Sequence, residues 1–266
     1  LADRSLHLLL LLTQHLPPAL FPEAPPNPFL DALRSIGDEQ PFEPSAGGGD
    51  EGESGDPEDG RMRASKVSFK ELHDAIARAL PDQSAALLLY LLLHGNTEFL
   101  EYTLSRTDPD TLLLPLLKML NDSRSLPPNQ LYMLLIVLLL LSQDHGFVSA
   151  AQTAILPSVP WYTERMLGQV SAGSLLAIVL VRTVQSNLAK AEDHDAYVNT
   201  NCLAALANVA PALRKLHPAA ARCLLTLVDV FYRKYHRQAR RVARESAADA
   251  HTAGAHAAGG AEKREV

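Results

Sequence analysis

Ser174-Leu175-Leu176-Ala177-Ile178-Val179-Leu180-Val181-Arg182-Thr183-Val184 carries apolar side chains around its whole circumference when wound as a helix. A helix at a protein surface keeps one polar face for water, and this segment has none. It must therefore be covered on opposite sides. The same reasoning applies to Leu131-Tyr132-Met133-Leu134-Leu135-Ile136-Val137-Leu138-Leu139-Leu140-Leu141. Successive covered helices joined by short polar turns describe an all-α, α-solenoid-like array of antiparallel helices, of the armadillo or HEAT kind.

Working outward, helices are expected near 147–156, 160–169, 173–190, 196–209 and 218–247. Upstream, Ser68 and Glu71 form a capping box, with Val67 and Leu72 placed as its hydrophobic staple. The helix that follows buries Leu72, Ile76 and Leu80 and ends at Pro81. Asp82 is placed to cap the next helix, which Gly95 closes, and Thr97 to cap a short third. Asp108-Pro109 opens a fourth, with proline at the first helical position. Pro127-Pro128 precedes a fifth, which is expected to stop at Gly146. The spacing gives no strict countable repeat. One local cue is Leu203-Ala204-Ala205-Leu206-Ala207-Asn208-Val209-Ala210, which resembles the inner helix of an armadillo repeat, where small alanines admit close neighbours.

Residues 1–21 read as a helix belonging to the array, stopped by Pro17-Pro18. From 22 to 66 the character changes. Prolines 22, 25, 26, 28, 41, 44 and 57 appear with glycines 47, 48, 49, 52, 55 and 60, and nine acids fall between Asp38 and Asp59 without one Lys or Arg. Such a stretch buries too little apolar surface to offset its ordering entropy, so a disordered acidic linker is expected. Residues 67–248 form the helical array, and 249–266, rich in Ala and Gly, a disordered tail.

The 266 residues are 47% apolar and 6% aromatic, with leucine dominant, as an all-α chain requires. A net charge of −6 argues against bulk nucleic-acid binding. Cys202 and Cys223 lie in apolar helical patterns and form no Cys-x-x-Cys, so neither a disulfide framework nor a zinc site is indicated. The longest apolar run, 131–141, is shorter than the roughly 18 residues a membrane span needs. The opening Leu1, in mid-helix, is expected to mark a fragment. The Leu8–Leu12 run lacks the leader and cleavage site of a signal peptide.

No enzyme signature emerges, since there is no phosphate-binding glycine loop, Gly-x-Ser-x-Gly elbow or His-Glu-x-x-His pair. No cofactor is expected. Asp193-His194-Asp195 is the nearest metal-like cluster, and a solvated turn accounts for it better. Asp144-His145 reads as a helix C-terminus. Four residues are candidates for partner binding. Trp161 and Arg165, four apart on the expected 160–169 helix, can stack. Asn201 and Asn208, seven apart, share a helical face and suit either an extended peptide backbone or neighbouring helix ends. In the last helix Leu224, Leu227, Val228, Phe231 and Tyr235 form an apolar stripe. Arg233, Lys234, Arg237, Arg240, Arg241 and Arg244 make its distal end basic, fit for an anionic membrane or an acidic partner.

Residues 67–238 resemble the dymeclin family. The likeness rests on an ordered series: Ala86-Leu87-Leu88-Leu89-Tyr90 with Leu93-His94, Arg106-Thr107-Asp108, the 131–141 run, and Asp144-His145-Gly146-Phe147. It continues through Trp161-Tyr162-Thr163-Glu164-Arg165, Gly173-Ser174-Leu175-Leu176, Arg182-Thr183-Val184-Gln185 and Asn199-Thr200-Asn201-Cys202. Leu216-His217 with Ala219-Ala220-Ala221 completes it. The resemblance implies a non-enzymatic, peripheral protein on the cytoplasmic face of the Golgi, one that supports Golgi organisation and vesicle traffic from the endoplasmic reticulum. Its partners would be trafficking or Golgi proteins, with no nucleic acid. Membrane association would be indirect, through an N-terminal myristoylated region that precedes these residues in the family. The alternative is a soluble helical-repeat adaptor binding peptides outside the secretory pathway.

Overall fold

The computed structural model describes residues 2–14, 27–39, 65–80, 82–190 and 194–261. Eleven helices carry the described fold: α1 (Ala2–Gln14), α2 (Pro28–Arg34), α3 (Phe69–Ala79), α4 (Gln83–Gly95), α5 (Thr97–Ser105), α6 (Asp110–Asn121), α7 (Pro128–Gln143), α8 (His145–Thr153), α9 (Ala172–Leu188), α10 (Ala196–Val209) and α11 (Pro218–Ala261). Two small sheets accompany them, β1 (Gly37–Asp38) parallel to β2 (Lys66–Val67), and β3 (Ile155–Ser158) antiparallel to β4 (Gly168–Ser171). The chain divides into two compact units, Leu1–Ala220 and Ala221–Val266.

The two all-round apolar segments lie where their composition demands. No residue of 131–141 or 175–184 is exposed, and thirteen of the seventeen residues of α9 are buried. The packing order explains the cover. Helix α1 packs on α4, α3 on α6, α4 on α7, α5 on α8, α6 on α9 and α7 on α10, so each contact joins a helix to the third one after it. Thus α7 is sandwiched between α4 and α10, and α9 lies against α6, α8 and α10. The fully buried Leu89, Leu113, Leu116, Leu117 and Leu120 fill the seams.

Local signals set most helix ends. The Ser68 hydroxyl accepts from the Glu71 N–H at 3.4 Å, as its capping pattern requires. The third helix of the array is capped one residue earlier than Thr97, by Asn96, whose Oδ1 accepts from the Phe99 N–H at 2.9 Å. The Asn96 amide donates to the Leu33 and Ile36 carbonyls at 3.3 and 2.8 Å, fastening α2 to the α4–α5 corner. Arg106 fastens α3, α5 and α6. It reaches Asp108 at 2.6 and 2.8 Å, the Tyr102 hydroxyl at 2.9 Å and Asp74 at 3.3 Å. That clamp holds the Asp108 carboxyl below its ordinary range, chiefly through the Arg106 hydrogen bond.

Several expectations need correction. Within 22–66, residues 27–39 are ordered. Asn27 caps α2 at 3.0 and 3.2 Å, Pro28 begins the helix, and Gly37 and Asp38 pair with Lys66 and Val67. Leu33, 5% exposed, supplies the apolar anchor. The acidic core of that stretch, 40–64, lies outside the described residues. The helix expected over 160–169 is replaced by a loop and β4. Prolines 157 and 160 bracket its start, and Gln169 takes φ 53°, which a helix cannot continue through. Asp144 ends α7 as its C-cap, as expected, but it also caps α8, its Oδ1 accepting from the Phe147 N–H at 2.6 Å, so His145 opens the next helix. Finally, α11 runs to Ala261, so residues 249–261, expected as tail, are helical; their alanines favour that state. Residues 262–266 lie outside the described set.

No single helix among the described residues is long and apolar enough to cross a membrane. Helices α7 and α8 reach that length together, but they bend by 94° at Asp144, and α4 and α10 cover α7.

Candidate functional site

Arg182 is the one charge in the otherwise apolar core of α9, and a half-buried cation needs a partner. The 159–167 loop supplies it. Val159, Tyr162 and Leu167 are buried and pin the loop, while Met166 is 98% exposed at its tip. The Tyr162 ring sits 5.6 Å from the Arg182 guanidinium carbon, and its hydroxyl accepts from Arg182 at 3.3 Å. Glu164 forms an ion pair with the same guanidinium. A notch of about 200 Å³ opens beside this trio, lined also by Asn121, Ser123, Thr183 and Ser186. That volume falls below the several hundred Å³ of small-molecule sites, so the notch is sized for a side chain.

This arrangement replaces the expected Trp161–Arg165 stack. Without a helix over 160–169 those residues are no longer one turn apart. Trp161 is half-buried with its ring 6.5 Å from that of Tyr162, and Arg165 is exposed on the loop. The loop thus presents the expected candidates, but organised by Tyr162 and Arg182. A lone cation in a greasy helix was the sequence signal for the latter.

Asn201 and Asn208 are not brought into one empty groove. The Asn201 amide donates to the Tyr197 carbonyl of its own helix at 2.8 Å, and Asn208 donates to the Ser142 hydroxyl on α7 at 3.0 Å. Asp195 caps α10, accepting from the Tyr197 and Val198 N–H groups, and also takes the Tyr132 hydroxyl. The Tyr132 hydrogen bond, foremost, holds the Asp195 carboxyl below its usual range. Of the other members of that cluster, Asp193 lies outside the described residues, and no His/Cys/Asp/Glu group suited to a metal ion occurs among the described ones. Cys202 is fully buried, and burial pushes its thiol up to about 12, which disfavours the thiolate.

In the second unit, Arg233, Lys234, Arg237, Arg240, Arg241 and Arg244 are all exposed along α11. Arg233 pairs with Asp229 one turn back at 2.9 Å. Of the apolar stripe, Leu227 is buried, while Val228 and Tyr235 are 66% and 71% exposed.

Fold and surface together define an all-α protein whose helices pack in steps of three, carrying a polar loop notch and a basic helix. The chain belongs to the dymeclin family, whose description, "Dymeclin: Dyggve-Melchior-Clausen syndrome protein", matches residues 1–259. It is 36% identical to dymeclin of Mus musculus over 242 residues, covering 89% of this chain and 33% of the relative. Dymeclin of Drosophila melanogaster is 34% identical over 237 residues, covering 89% and 31%. Dymeclin of Dictyostelium discoideum is 38% identical over 170 residues, covering 64% and 18%. The chain therefore spans about a third of the length of the first of these relatives. No solved structure matches it.

Proposed function

We propose that this chain is a helical scaffold segment of a non-enzymatic, peripheral protein on the cytoplasmic face of the Golgi, supporting Golgi organisation and vesicle traffic from the endoplasmic reticulum. Family membership over residues 1–259 is the observation that carries this reading. The packing order supports the scaffold part. Helices α1 and α3–α7 each contact the third helix after them, a step like that of armadillo arrays, whose long faces bind other proteins. Trafficking or Golgi proteins would be the partners, engaged through the 159–167 loop and its Tyr162–Arg182 notch. Membrane attachment would reside in an N-terminal lipid anchor of the whole protein. A single acyl chain holds a protein only marginally, so a second contact is required, and the exposed cations of α11 suit it.

The test is a transport assay in cells lacking their own dymeclin. They receive mouse dymeclin whose matching segment is exchanged for residues 1–266, with and without Arg182→Gln. The unaltered exchange should restore endoplasmic-reticulum-to-Golgi passage of a secreted cargo, and Arg182→Gln should slow it. Equal, uncorrected transport with both would sink the scaffold reading.

A further inference from the structure

Between α8, the β3–β4 hairpin, the start of α9 and the 210–218 connector lies a cavity of about 650 Å³, well within the range of small-ligand sites. Arg214, Lys215, His145 and His217 line it, together with Ser149 and with Thr153, whose hydroxyl donates to the Ala150 carbonyl at 2.8 Å. None of the described residues that line it is Asp or Glu. In a chain of net charge −6, a concave site holding two permanent cations and no carboxylate is a marked local reversal of sign. Neither the Arg214 guanidinium nor the Lys215 ammonium hydrogen-bonds or ion-pairs with another described residue.

The walls are built rather than incidental. Gln152 on α8 donates to the Arg214 carbonyl at 2.5 Å, tying the connector to the helix. The Ser171 hydroxyl donates to the Gln152 Oε1 at 3.2 Å, and Ser174 accepts from the His217 N–H at 3.2 Å. His217 Nδ1 accepts from the Ala219 N–H at 3.2 Å, which in the neutral ring leaves the proton on Nε2 as a donor. Close packing makes this possible. A Cβ on Gly173 would lie 3.3 Å from the Gln152 Cα and 2.6 Å from its Oε1, so a larger residue there would displace the Gln152 side chain that ties the connector to α8. Two non-glycine residues with left-handed backbone occur among the described ones, Gln169 and Lys215, both at φ 53°, and both line this cavity.

We infer that this cavity binds the phosphate group of a small ligand, with Arg214 and Lys215 supplying charge and His217 and Ser149 supplying hydrogen bonds. A phosphate brings two negative charges and three acceptor oxygens to a site with two fixed cations and several donors. The group could be borne by a soluble compound or by a lipid headgroup, and the chemistry of recognition is the same.

The experiment is calorimetric titration of the purified 266-residue chain with inorganic pyrophosphate, repeated with Lys215→Gly, Arg214→Gln and, as control, Arg240→Gln on α11. Glycine adopts the backbone of position 215 freely, so Lys215→Gly removes the charge without loss of thermal stability. The expected result is saturable binding, weakened about tenfold by either cavity substitution and unchanged by Arg240→Gln. Absence of saturable binding, affinity undiminished from the parent in the cavity variants, or an equal loss in Arg240→Gln would overturn the assignment. A parallel flotation uses phosphatidylcholine vesicles with and without a phosphoinositide. Phosphoinositide-dependent attachment that pyrophosphate displaces, and that both cavity variants lose, identifies a lipid source. Pyrophosphate binding without attachment identifies a soluble one. Both readouts use isolated protein, so their outcome is separate from that of the cargo assay.

Discussion

His73, 2% exposed on α3, lies within hydrogen-bonding range of Asp74 and close to the Arg106 clamp. Burial, and after it the Arg106 charge, lowers the pKa of the imidazole; the Asp74 bond opposes this without reversing it. The unfolded chain therefore takes up the proton more readily than the folded one. Stability linked to His73 is fully present above the unfolded value of about 6.5 and is lost as pH falls from there towards the depressed folded value. Unfolding in urea at about pH 7.5 and about pH 5.5 checks this. The parent should lose more stability on acidification than His73→Gln does. Parallel losses in the two proteins would show that His73 contributes nothing to the slope. The sequence did not single out this histidine, because its environment is assembled from α3, α5 and α6 and no spacing within one helix announces it.

Among the elements, the corner between α4 and α5 concentrates the most bonding in one side chain. Asn96 caps α5 and gives its amide hydrogens to two carbonyls near the end of α2. Asn96→Ala removes the cap and leaves buried carbonyls unpaired, for an expected loss of roughly 2–4 kcal/mol. Asn96→Asp keeps the cap acceptor but loses both donors, so it should also destabilise. A shift of the urea midpoint equivalent to less than about 0.5 kcal/mol in the alanine variant would contradict the bonding described. Most elements were legible from their ends. The capping box at Ser68, the proline at 128 and the all-round apolar runs each act within one turn or one helix, and each set an element where expected. The hairpin was not legible. Residues 160–169 have helix-compatible composition, and the loop forms because Tyr162 finds Arg182, twenty residues away, while Gln169 turns left-handed. Helix α2 was hidden for a related reason. Its seven residues sit in a Pro-rich, acidic context and are held by Asn96, sixty residues downstream of Ile36.

At the scale of the whole molecule, the step of three taken by α1 and α3–α7 was not countable in the sequence, since helix lengths and connections vary along the chain. The family was legible in a different way. No catalytic pattern pointed to it; an ordered series of structural residues did, and membership in the dymeclin family follows from the match over residues 1–259. The account's central claim is that these residues serve as scaffold in a Golgi-associated protein. The most direct measurement is light microscopy of two tagged proteins in cells lacking their own dymeclin. One is mouse dymeclin with its matching segment exchanged for residues 1–266, and the other is mouse dymeclin with that segment deleted. The account predicts that the exchanged protein overlaps a Golgi marker as the unaltered mouse protein does, and that the deleted one fails to sustain a compact Golgi. A diffuse exchanged protein, beside an unaltered mouse protein at the Golgi, would contradict it.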